Sequence, residues 1–257
     1  FQLAKSGVRT TLVERDPIGE HASGRNPGNL NPILATAPEL VPLALASFRL
    51  HGSLAGELAA LGCPSYGMAP VRRVLVAFDD KDRAELDAIA RLYAEHAGFS
   101  TTCLTAAQLR AIEPRLSEAI REGLVIEGNL SVDSRAFSLA LAEGARKAGA
   151  AHVHAEARGV LHGNQRVEAV RTTSGNLACD TLILATGPWV AEAQEWLGVG
   201  LPVEPVKGEM LRLRPDIHCV IHLHHDETVA YLAAGYDEIR PLGLTFSYLM
   251  QKPVHFL

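Results

Sequence analysis

The first fourteen residues constrain the fold more than any other segment of the chain. They are predicted to form the end of a helix, a turn at Gly7 and a strand over Thr10–Val13, and the strand ends on Glu14. This order is typical of the second half of a βαβ unit that binds dinucleotides, in which the acid accepts a hydrogen bond from a ribose hydroxyl. The glycine-rich loop of such a unit lies about 20 residues before the acid, which here is before Phe1. We therefore expect this sequence to begin inside the first helix of the unit, and we expect the 257-residue chain to bind a dinucleotide weakly or not at all.

The composition allows a large buried core and disfavours two classes of partner. Hydrophobic residues make up 47% of the chain and the formal net charge is −5, so a basic nucleic-acid surface is not expected. No apolar run approaches the roughly 18 residues that span a bilayer. The four cysteines, Cys63, Cys103, Cys179 and Cys219, are widely spaced and form no C-x-x-C pair. We expect reduced thiols in a cytoplasmic protein that acts on a small molecule, and the sequence leaves its oligomeric state open.

A long loop and a helix-rich block follow the first strand. Residues 15–35 are rich in Gly, Pro, Asn and Ser, and loops of this length without secondary structure are usually functional or disordered. The elements predicted after this loop are a helix over 40–61, a strand over 71–78, a helix that Asp79 or Asp80 caps and Gly98 ends, and a short helix between Thr105 and Pro114.

The pattern changes after residue 128, where strands become frequent. Asp133 or Ser134 is predicted to cap a helix that ends at Gly149. Three strands are predicted next, over 151–162, 166–172 and 177–184, with hairpin turns at Gly163-Asn164 and Ser174-Gly175-Asn176. The third strand ends in the continuous apolar run Thr181–Ala185, which favours a strand covered on both faces, as in a parallel sheet.

The segment Leu182–Trp189, with the sequence LILATGPW, resembles the strand and A-x-G-x-W signature of the FAD-dependent amine and amino-acid oxidoreductases. That group includes D-amino-acid oxidase, glycine and sarcosine oxidases, D-amino-acid dehydrogenases and opine oxidases. Four other stretches resemble the family in the same order: Ala22–Gly28, Ile112-Glu113-Pro114, Leu130–Phe137 and Leu201–Met210. The similarity spans about residues 1–214.

The resemblance implies an α/β fold, α+β overall, in which a Rossmann-like FAD-binding domain is interleaved with a substrate domain based on a β-sheet. The FAD-binding domain would comprise residues 1–35 and 128–198, and the substrate domain residues 36–127 and 199–257. This interleaving would explain why helix-rich and strand-rich blocks alternate along the chain.

The resemblance also implies FAD as the cofactor and a set of residues that bind it. Those residues are Glu14, Arg15, Ser23, Gly24, Arg25, Asn26, Val160, Ala185, Thr186, Gly187 and Trp189. Glu14 would hold the adenosine ribose, and the Ser23–Asn26 loop would approach the pyrophosphate and the flavin edge with backbone N–H groups and small side chains. Arg25 would offset phosphate charge or the charge of reduced flavin, although a solvated surface arginine is the alternative. Val160 would contact adenine through its backbone, or would be a core valine.

The remaining members of the set lie after the third strand. Ala185 and Gly187 would let the chain pass closely under the cofactor, and Thr186 is the variable position of the family. Trp189 would either pack over the site or anchor the helix that follows it. The implied reaction is amine oxidation, in which a neutral substrate amine loses a hydride from Cα to flavin N5 and the imine product hydrolyses. This reaction requires no dedicated acid or base, so no catalytic residue and no metal ligand is predicted.

The tail from about Asp216 to Leu257 departs from the family pattern and leaves two alternatives open. Five of the eleven histidines lie in it, and His222, His224 and Asp226 form an H-x-H-x-D motif that suits zinc. A metal-dependent hydrolase is therefore one alternative, although Glu227 stands where such motifs have a closing histidine. The other alternative is an inactive fragment of the flavoenzyme, truncated or frame-disrupted at both ends.

Overall fold

The computed structural model describes residues 1–114, 116–163, 166–200 and 202–203, together with four short strands in the remainder of the chain. The helices are α1 (Gln2–Lys5), α2 (Val41–Ala60), α3 (Asp80–Ala94), α4 (Ala106–Ile112), α5 (Ser134–Lys147) and α6 (Val190–Leu197), with 3-10 turns at Pro38–Leu40 and Gly187–Trp189. The strands are β1 (Thr11–Glu14), β2 (Asn29–Leu30), β3 (Ala69–Ala77), β4 (Ser100–Thr105), β5 (Glu122–Ser131), β6 (Ala151–His154), β7 (Ala157–Gly163), β8 (Arg166–Thr172), β9 (Gly175–Ala178), β10 (Glu209–Leu211), β11 (Ile221–Leu223), β12 (Glu238–Ile239) and β13 (Val254–His255).

The chain divides into two compact units, each assembled from separated segments. The first unit contains residues Phe1–Pro27, Leu54–Tyr66 and Asp133–His222. The second contains Gly28–Ser53, Gly67–Val132 and Leu223–Leu257. Neither unit is continuous in sequence, so the contacts that hold each together are long-range.

A parallel strand pair forms the start of the first unit. The helix end, the turn at Gly7 (φ +81°) and the strand that ends on Glu14 are confirmed. β1 pairs in parallel with β6, with Thr11 opposite Ala151 and Glu14 opposite His154. Parallel strands need a crossover connection, and the helix that precedes β6 here is α5.

The N-terminus of α5 is fixed by a side-chain cap. Asp133 has an extended backbone and its carboxylate accepts a hydrogen bond from Ala136 N, so Asp133 rather than Ser134 is the cap. Gly144 faces Leu58 across the unit, and a Cβ at Gly144 would lie 2.5 Å from the Leu58 side chain. The absence of a side chain at Gly144 therefore lets the Leu54–Ala60 end of α2 pack closely on α5.

The strands that follow α5 differ from the sequence prediction at two places. The single strand predicted over 151–162 is wrong, because the chain changes partner at Ala155–Glu156. Ala155 N still donates to Glu14 O, whereas β7 pairs antiparallel with β8, and β8 with β9. The strand predicted over 177–184 ends at Ala178. Ile183 is 65% exposed, so the expected burial of Thr181–Ala185 on both faces is also wrong.

An antiparallel sheet centred on β5 forms the second unit. β3 pairs with one edge of β5, while β2 and β4 pair with different stretches of the other edge. The helix α3 packs on this sheet, and its Tyr93 is 1% exposed and donates a hydrogen bond to Asn31 Oδ1 at 2.8 Å. The buried residues of this core are Ile33, Ala77, Leu86, Tyr93, Leu124 and Ile126.

Local capping signals account for the starts of α3 and α4 in the second unit. Asp79 accepts hydrogen bonds from Lys81 N and Asp82 N, which confirms one of the two predicted caps of α3. Thr105 and Gln108 form a reciprocal capping box at the start of α4, so the short helix predicted between Thr105 and Pro114 is confirmed. Among the helices that the structure describes, none combines the length and apolar character needed to cross a bilayer.

Candidate functional site

The carboxyl ends of the parallel strands β1 and β6 lie side by side in the first unit. Glu14 is the last residue of β1, and its carbonyl oxygen accepts a hydrogen bond from Ala155 N at 3.0 Å, just beyond β6. The half-buried side chain of Glu14 also accepts one from Asp16 N at 3.0 Å. Open α/β sheets bind ligands outside the carboxyl ends of their strands, so this edge is the place to look for a site.

Trp189 packs against the residue that follows β1. The guanidinium carbon of Arg15 lies 4.9 Å from the centroid of the Trp189 ring, which is within the range of a cation–π contact. The His21 ring approaches the same indole at 4.8 Å between centroids and an interplanar angle of 64°. Trp189 is also the residue before α6, so it both contacts Arg15 and leads into the following helix.

Two carboxylates complete the surroundings of Arg15. Its Nε lies 3.2 Å from Asp16 Oδ2, and its terminal nitrogen lies 3.8 Å from Glu156 Oε1. The Asp16 carboxylate is also 2.8 Å from His21 Nε2. This hydrogen bond to His21, supported by Arg15, holds the pKa of the Asp16 carboxyl below its usual value. The guanidinium is thus fixed in direction by an indole face and two acids.

The predicted cofactor loop, Ser23–Asn26, forms a tight turn that local hydrogen bonds hold together. Gly24 N and Arg25 N both donate to His21 O at 3.0 Å, and the Asn26 amide donates to the carbonyl oxygens of Ala22 and Ser23 at 2.9 Å each. A Cβ at Gly24 would lie 2.0 Å from the backbone oxygen of Gly19. Only glycine fits at this position without a shift of the backbone.

Arg25 is exposed and paired within the loop. It forms an ion pair with Glu20, whose other oxygen lies 3.4 Å from Arg135 on α5. The hydrogen bond from Arg25 lowers the pKa of the Glu20 carboxyl. Arg25 is therefore exposed to solvent, and the Glu20 carboxylate offsets part of its charge. A role for Arg25 in binding phosphate or flavin stays a prediction.

The A-x-G-x-W segment provides a buried hydroxyl. Thr186 Oγ1 is buried and has no hydrogen-bond partner among the residues that the structure describes. A buried polar group without a partner is costly, so this hydroxyl is suited to a ligand atom. Gly187 follows with φ +54° and starts the 3-10 turn that presents Trp189, while Ala185 is exposed before it.

Val160 lies apart from this cluster. It is 8% exposed in β7, opposite Val170 of β8, in the antiparallel sheet that follows β6. The structure thus brings Glu14, Arg15 and Trp189 together and places Val160 in a different sheet.

Sequence reasoning did not select Asp16, His21 or Glu156 for this site. Asp16 and His21 lie in the long Gly- and Pro-rich loop, where residue spacing does not indicate which polar side chains contact each other and which are only solvated. Glu156 lies two residues beyond β6. The parallel pairing of β6 with β1 was the signal that could have placed it beside Arg15.

The structure does not test the alternative metal site. Within residues 1–114, 116–163, 166–200 and 202–203, no group of three or more His, Cys, Asp and Glu side chains could hold a metal ion. His224 and Asp226 lie outside the described residues, and the side chain of His222 is likewise not described.

The residues at the end of β1 fit a dinucleotide cofactor. Glu14 supplies an acid at the carboxyl end of a parallel strand, Gly24 keeps the neighbouring loop tight, and Thr186 offers a buried hydroxyl. A family model described as FAD dependent oxidoreductase matches residues 1–245 of this chain.

Relatives and solved structures support the same assignment. Glycine oxidase of Geobacillus kaustophilus is 30% identical over 222 residues, which cover 84% of this chain and 58% of that protein. Its crystal structure matches with a TM-score of 0.74 at 29% identity, and the match covers 81% of this chain and 57% of that one. Hydrogen cyanide synthase subunit HcnC of Pseudomonas protegens is 32% identical over 192 residues, 69% of this chain and 44% of that protein. Iminodiacetate oxidase from Chelativorans matches with a TM-score of 0.70 at 25% identity, covering 81% and 57% of the two chains.

The chain spans about half the length of these relatives. The family model nevertheless matches nearly the whole of this chain, and the matched fold is a mixed α/β fold with parallel and antiparallel sheets, as the sequence predicts. The chain therefore belongs to the family of FAD-dependent oxidoreductases, and it is similar to glycine oxidase and to enzymes of the D-amino-acid oxidase type.

Proposed function

We propose that the protein carrying this sequence binds FAD and oxidises an amino acid or a secondary amine. The observation that carries the proposal is the position of Glu14, at the carboxyl end of a parallel strand and next to an arginine that stacks on Trp189. The acid that ends β1 and the tryptophan of the A-x-G-x-W segment are thus linked through Arg15, which follows Glu14 in the chain and contacts the Trp189 ring.

In this proposal the described residues bind and orient the cofactor. The Glu14 carboxylate accepts a hydrogen bond from the adenosine ribose, since one of its oxygens already fixes it to the turn through Asp16 N. The Thr186 hydroxyl, buried without a protein partner among the described residues, hydrogen-bonds to the bound cofactor. The Ser23–Asn26 loop lies against the pyrophosphate, where the small residues Ser23 and Gly24 permit close approach.

The proposed domains are an FAD-binding domain from residues 1–35 and 128–198 and a substrate domain from residues 36–127 and 199–257. The change of unit between Pro27 and Gly28, and again between Val132 and Asp133, supports boundaries near these positions. The Leu54–Tyr66 segment groups with the first unit, so the end of α2 belongs to the packing of the FAD-binding domain.

The chemistry of the relatives narrows the substrate class. Glycine, iminodiacetate and D-amino acids, named in three of them, each carry an amine next to a carboxylate. We propose an α-amino acid or its N-substituted form as substrate. When bound, FAD supplies the acceptor for the hydride that leaves the substrate Cα, and the protein contributes position and exclusion of water. The substrate amine enters neutral and the imine product is hydrolysed, so no side chain has to act as acid or base.

Anaerobic reduction tests the proposed reaction. The full-length product of the gene, loaded with FAD, is mixed without oxygen with glycine, sarcosine, D-alanine, L-proline or iminodiacetate, and the visible absorbance of the flavin is followed. At least one amine is expected to bleach the flavin and to release a carbonyl product, while glycolate, which has no amine, does not. If no member of an extended amine panel reduces the FAD-loaded protein, the proposed activity is wrong.

Replacement of the ribose acid is expected to weaken cofactor binding. Glu14→Gln keeps the shape of the side chain but removes its charge, and a hydrogen bond to a charged group contributes about 1.5–3 kcal/mol, so the dissociation constant for FAD is expected to rise about 10- to 100-fold. Titration of the full-length apoprotein with FAD measures this change. Glu127→Gln is the matched control, because Glu127 is an exposed acid of the second unit that pairs with Arg72. Equal FAD affinities of the Glu14 and Glu127 variants would contradict the proposal that Glu14 binds FAD.

A further inference from the structure

Ser134 makes contacts that its position in α5 does not require. It is the first residue of the helix, and the cap of that helix is Asp133, which accepts from Ala136 N. The Ser134 side chain is 4% exposed, and its hydroxyl donates instead to the predicted cofactor loop, to Asn26 O at 2.8 Å and to Gly24 O at 3.2 Å. Asp133 therefore caps the helix, and the buried hydroxyl of Ser134 hydrogen-bonds to the loop instead.

Two other contacts join the same helix to the loop, and both are weaker. Ser138 Oγ lies 3.4 Å from Ser23 O and bonds at 3.0 Å to a carbonyl of its own helix. Arg135 lies 3.4 Å from Glu20, but more than half of its side chain is exposed, and exposed ion pairs contribute little. The Ser134 hydroxyl is thus the short and buried contact of the three.

The Ser134 contact attaches a buried part of the loop to α5. The Gly24 and Arg25 amides bond to His21, which closes the turn but does not attach it to the helix. Gly24 is buried, so loss of the Ser134 hydroxyl would leave its carbonyl oxygen without that donor in a place that water reaches poorly. Movement of the loop toward solvent is the expected response.

We propose that Ser134 is a positioning residue for the cofactor loop: its hydroxyl holds Ser23–Asn26 in the conformation that receives FAD. This inference rests on the proposed function, because it takes the Ser23–Asn26 loop as part of the FAD site. Ser134 itself does not touch the cofactor and acts through the loop carbonyls.

The test compares three substitutions of Ser134 in the full-length gene product, of which Thr and Val have equal shape. Ser134→Thr keeps the hydroxyl, and Ser134→Val replaces it with a methyl group, while Ser134→Ala removes it with little added bulk. Ser53→Ala is the control, because Ser53 is an exposed helical serine whose hydroxyl donates to Leu50 O, three residues earlier in its own helix. Two quantities are measured: the dissociation constant of the apoprotein for FAD, and amide deuterium exchange of peptides that cover residues 19–27 in the absence of FAD.

The Ala and Val variants are expected to bind FAD about tenfold more weakly, the effect of one lost hydrogen bond to a buried acceptor. Exchange of residues 19–27 is expected to rise in both variants, with exchange in β5 unchanged. The Thr variant and the Ser53 control are expected to keep the parent affinity and exchange. Because Thr and Val have the same shape, a general packing defect would affect both, and only loss of the hydroxyl separates them.

Different failures have different meanings. If the parent protein binds FAD and the Val variant binds it equally well, with unchanged loop exchange, the role of Ser134 is overturned while the proposed function stands. If the parent protein takes up no FAD, the proposed function is contradicted, and the proposal for Ser134 is contradicted with it. Loop exchange in the apoprotein then shows only whether Ser134 fixes the turn.

Discussion

Gly28→Ala is expected to lower the free energy of unfolding by roughly 3 kcal/mol or more, which is in the severe range for a single substitution. Gly28 has φ +75°, and a Cβ there would lie 1.9 Å from Val132 O. The same two residues are joined by a hydrogen bond from Val132 N to Gly28 O at 2.9 Å. The added methyl group would therefore force apart the backbone that starts the β2–β5 pairing.

Gly67→Ala measures the cost of backbone strain without a steric clash. Gly67 has a similar φ of +64° in the same unit, but nothing lies within 4 Å of a Cβ built on it. We expect about 1–2 kcal/mol of destabilisation there, the cost of a left-handed conformation for a residue other than glycine. Urea unfolding of the two variants measures the difference, and equal midpoints would mean that the Gly28 contact is not as close as described.

Ile126→Ala is expected to cost about 2–5 kcal/mol, because it leaves a cavity in the core of the second unit. Ile126 is fully buried at the centre of β5, where it lies opposite Arg73 of β3 and Thr101 of β4. Val74→Ala is the control on the neighbouring strand, since Val74 is 40% exposed. The control is expected to lose less than about 1 kcal/mol.

The choice of probe matters for this comparison. Both tryptophans of the sequence, Trp189 and Trp196, belong to the first unit, so their fluorescence follows that unit. Amide exchange of the β5 peptide is the probe for Ile126, because exchange reports the opening of the segment that contains each amide. Protection of β5 that falls equally in the Ile126 and Val74 variants would contradict the described core.

Local signals made much of the secondary structure predictable. Asp79, Thr105 and Asp133 each accept hydrogen bonds from backbone amides within three residues, so the starts of these three helices depend on residues that are close in sequence. The same holds for Gly7 and Gly175, whose positive φ angles mark the predicted turns.

Pairing between distant segments was not predictable in this way. The run 151–162 is predicted as one strand, and its two halves differ in their partners, since β6 pairs with β1 and β7 pairs with β8. The apolar run Thr181–Ala185 has the composition of a strand covered on both faces, yet composition does not supply the neighbours that would cover it. Strand identity at these two places depends on hydrogen bonds to residues far away in sequence.

The candidate site shows the same division between local and distant information. Glu14 and Trp189 could be selected from the sequence because each lies in a recognisable motif. Glu14 ends the strand of a βαβ unit, and Trp189 ends the A-x-G-x-W segment. The contact of Arg15 with Trp189, and the closeness of Glu156, depend on how the first unit folds. The Ser134 hydroxyl belongs to this second group, since nothing in its own helix indicates that it reaches Asn26.

Flavin content of the purified full-length gene product is the most direct test of the central claim. The product is supplied with excess FAD, separated from free flavin, and assayed for FAD per protein chain. We expect about one FAD per chain in the parent protein and a much lower content after Glu14→Gln. A parent protein that retains no FAD, or a Glu14 variant that retains as much as the parent, would contradict the assignment of the cofactor to the end of β1.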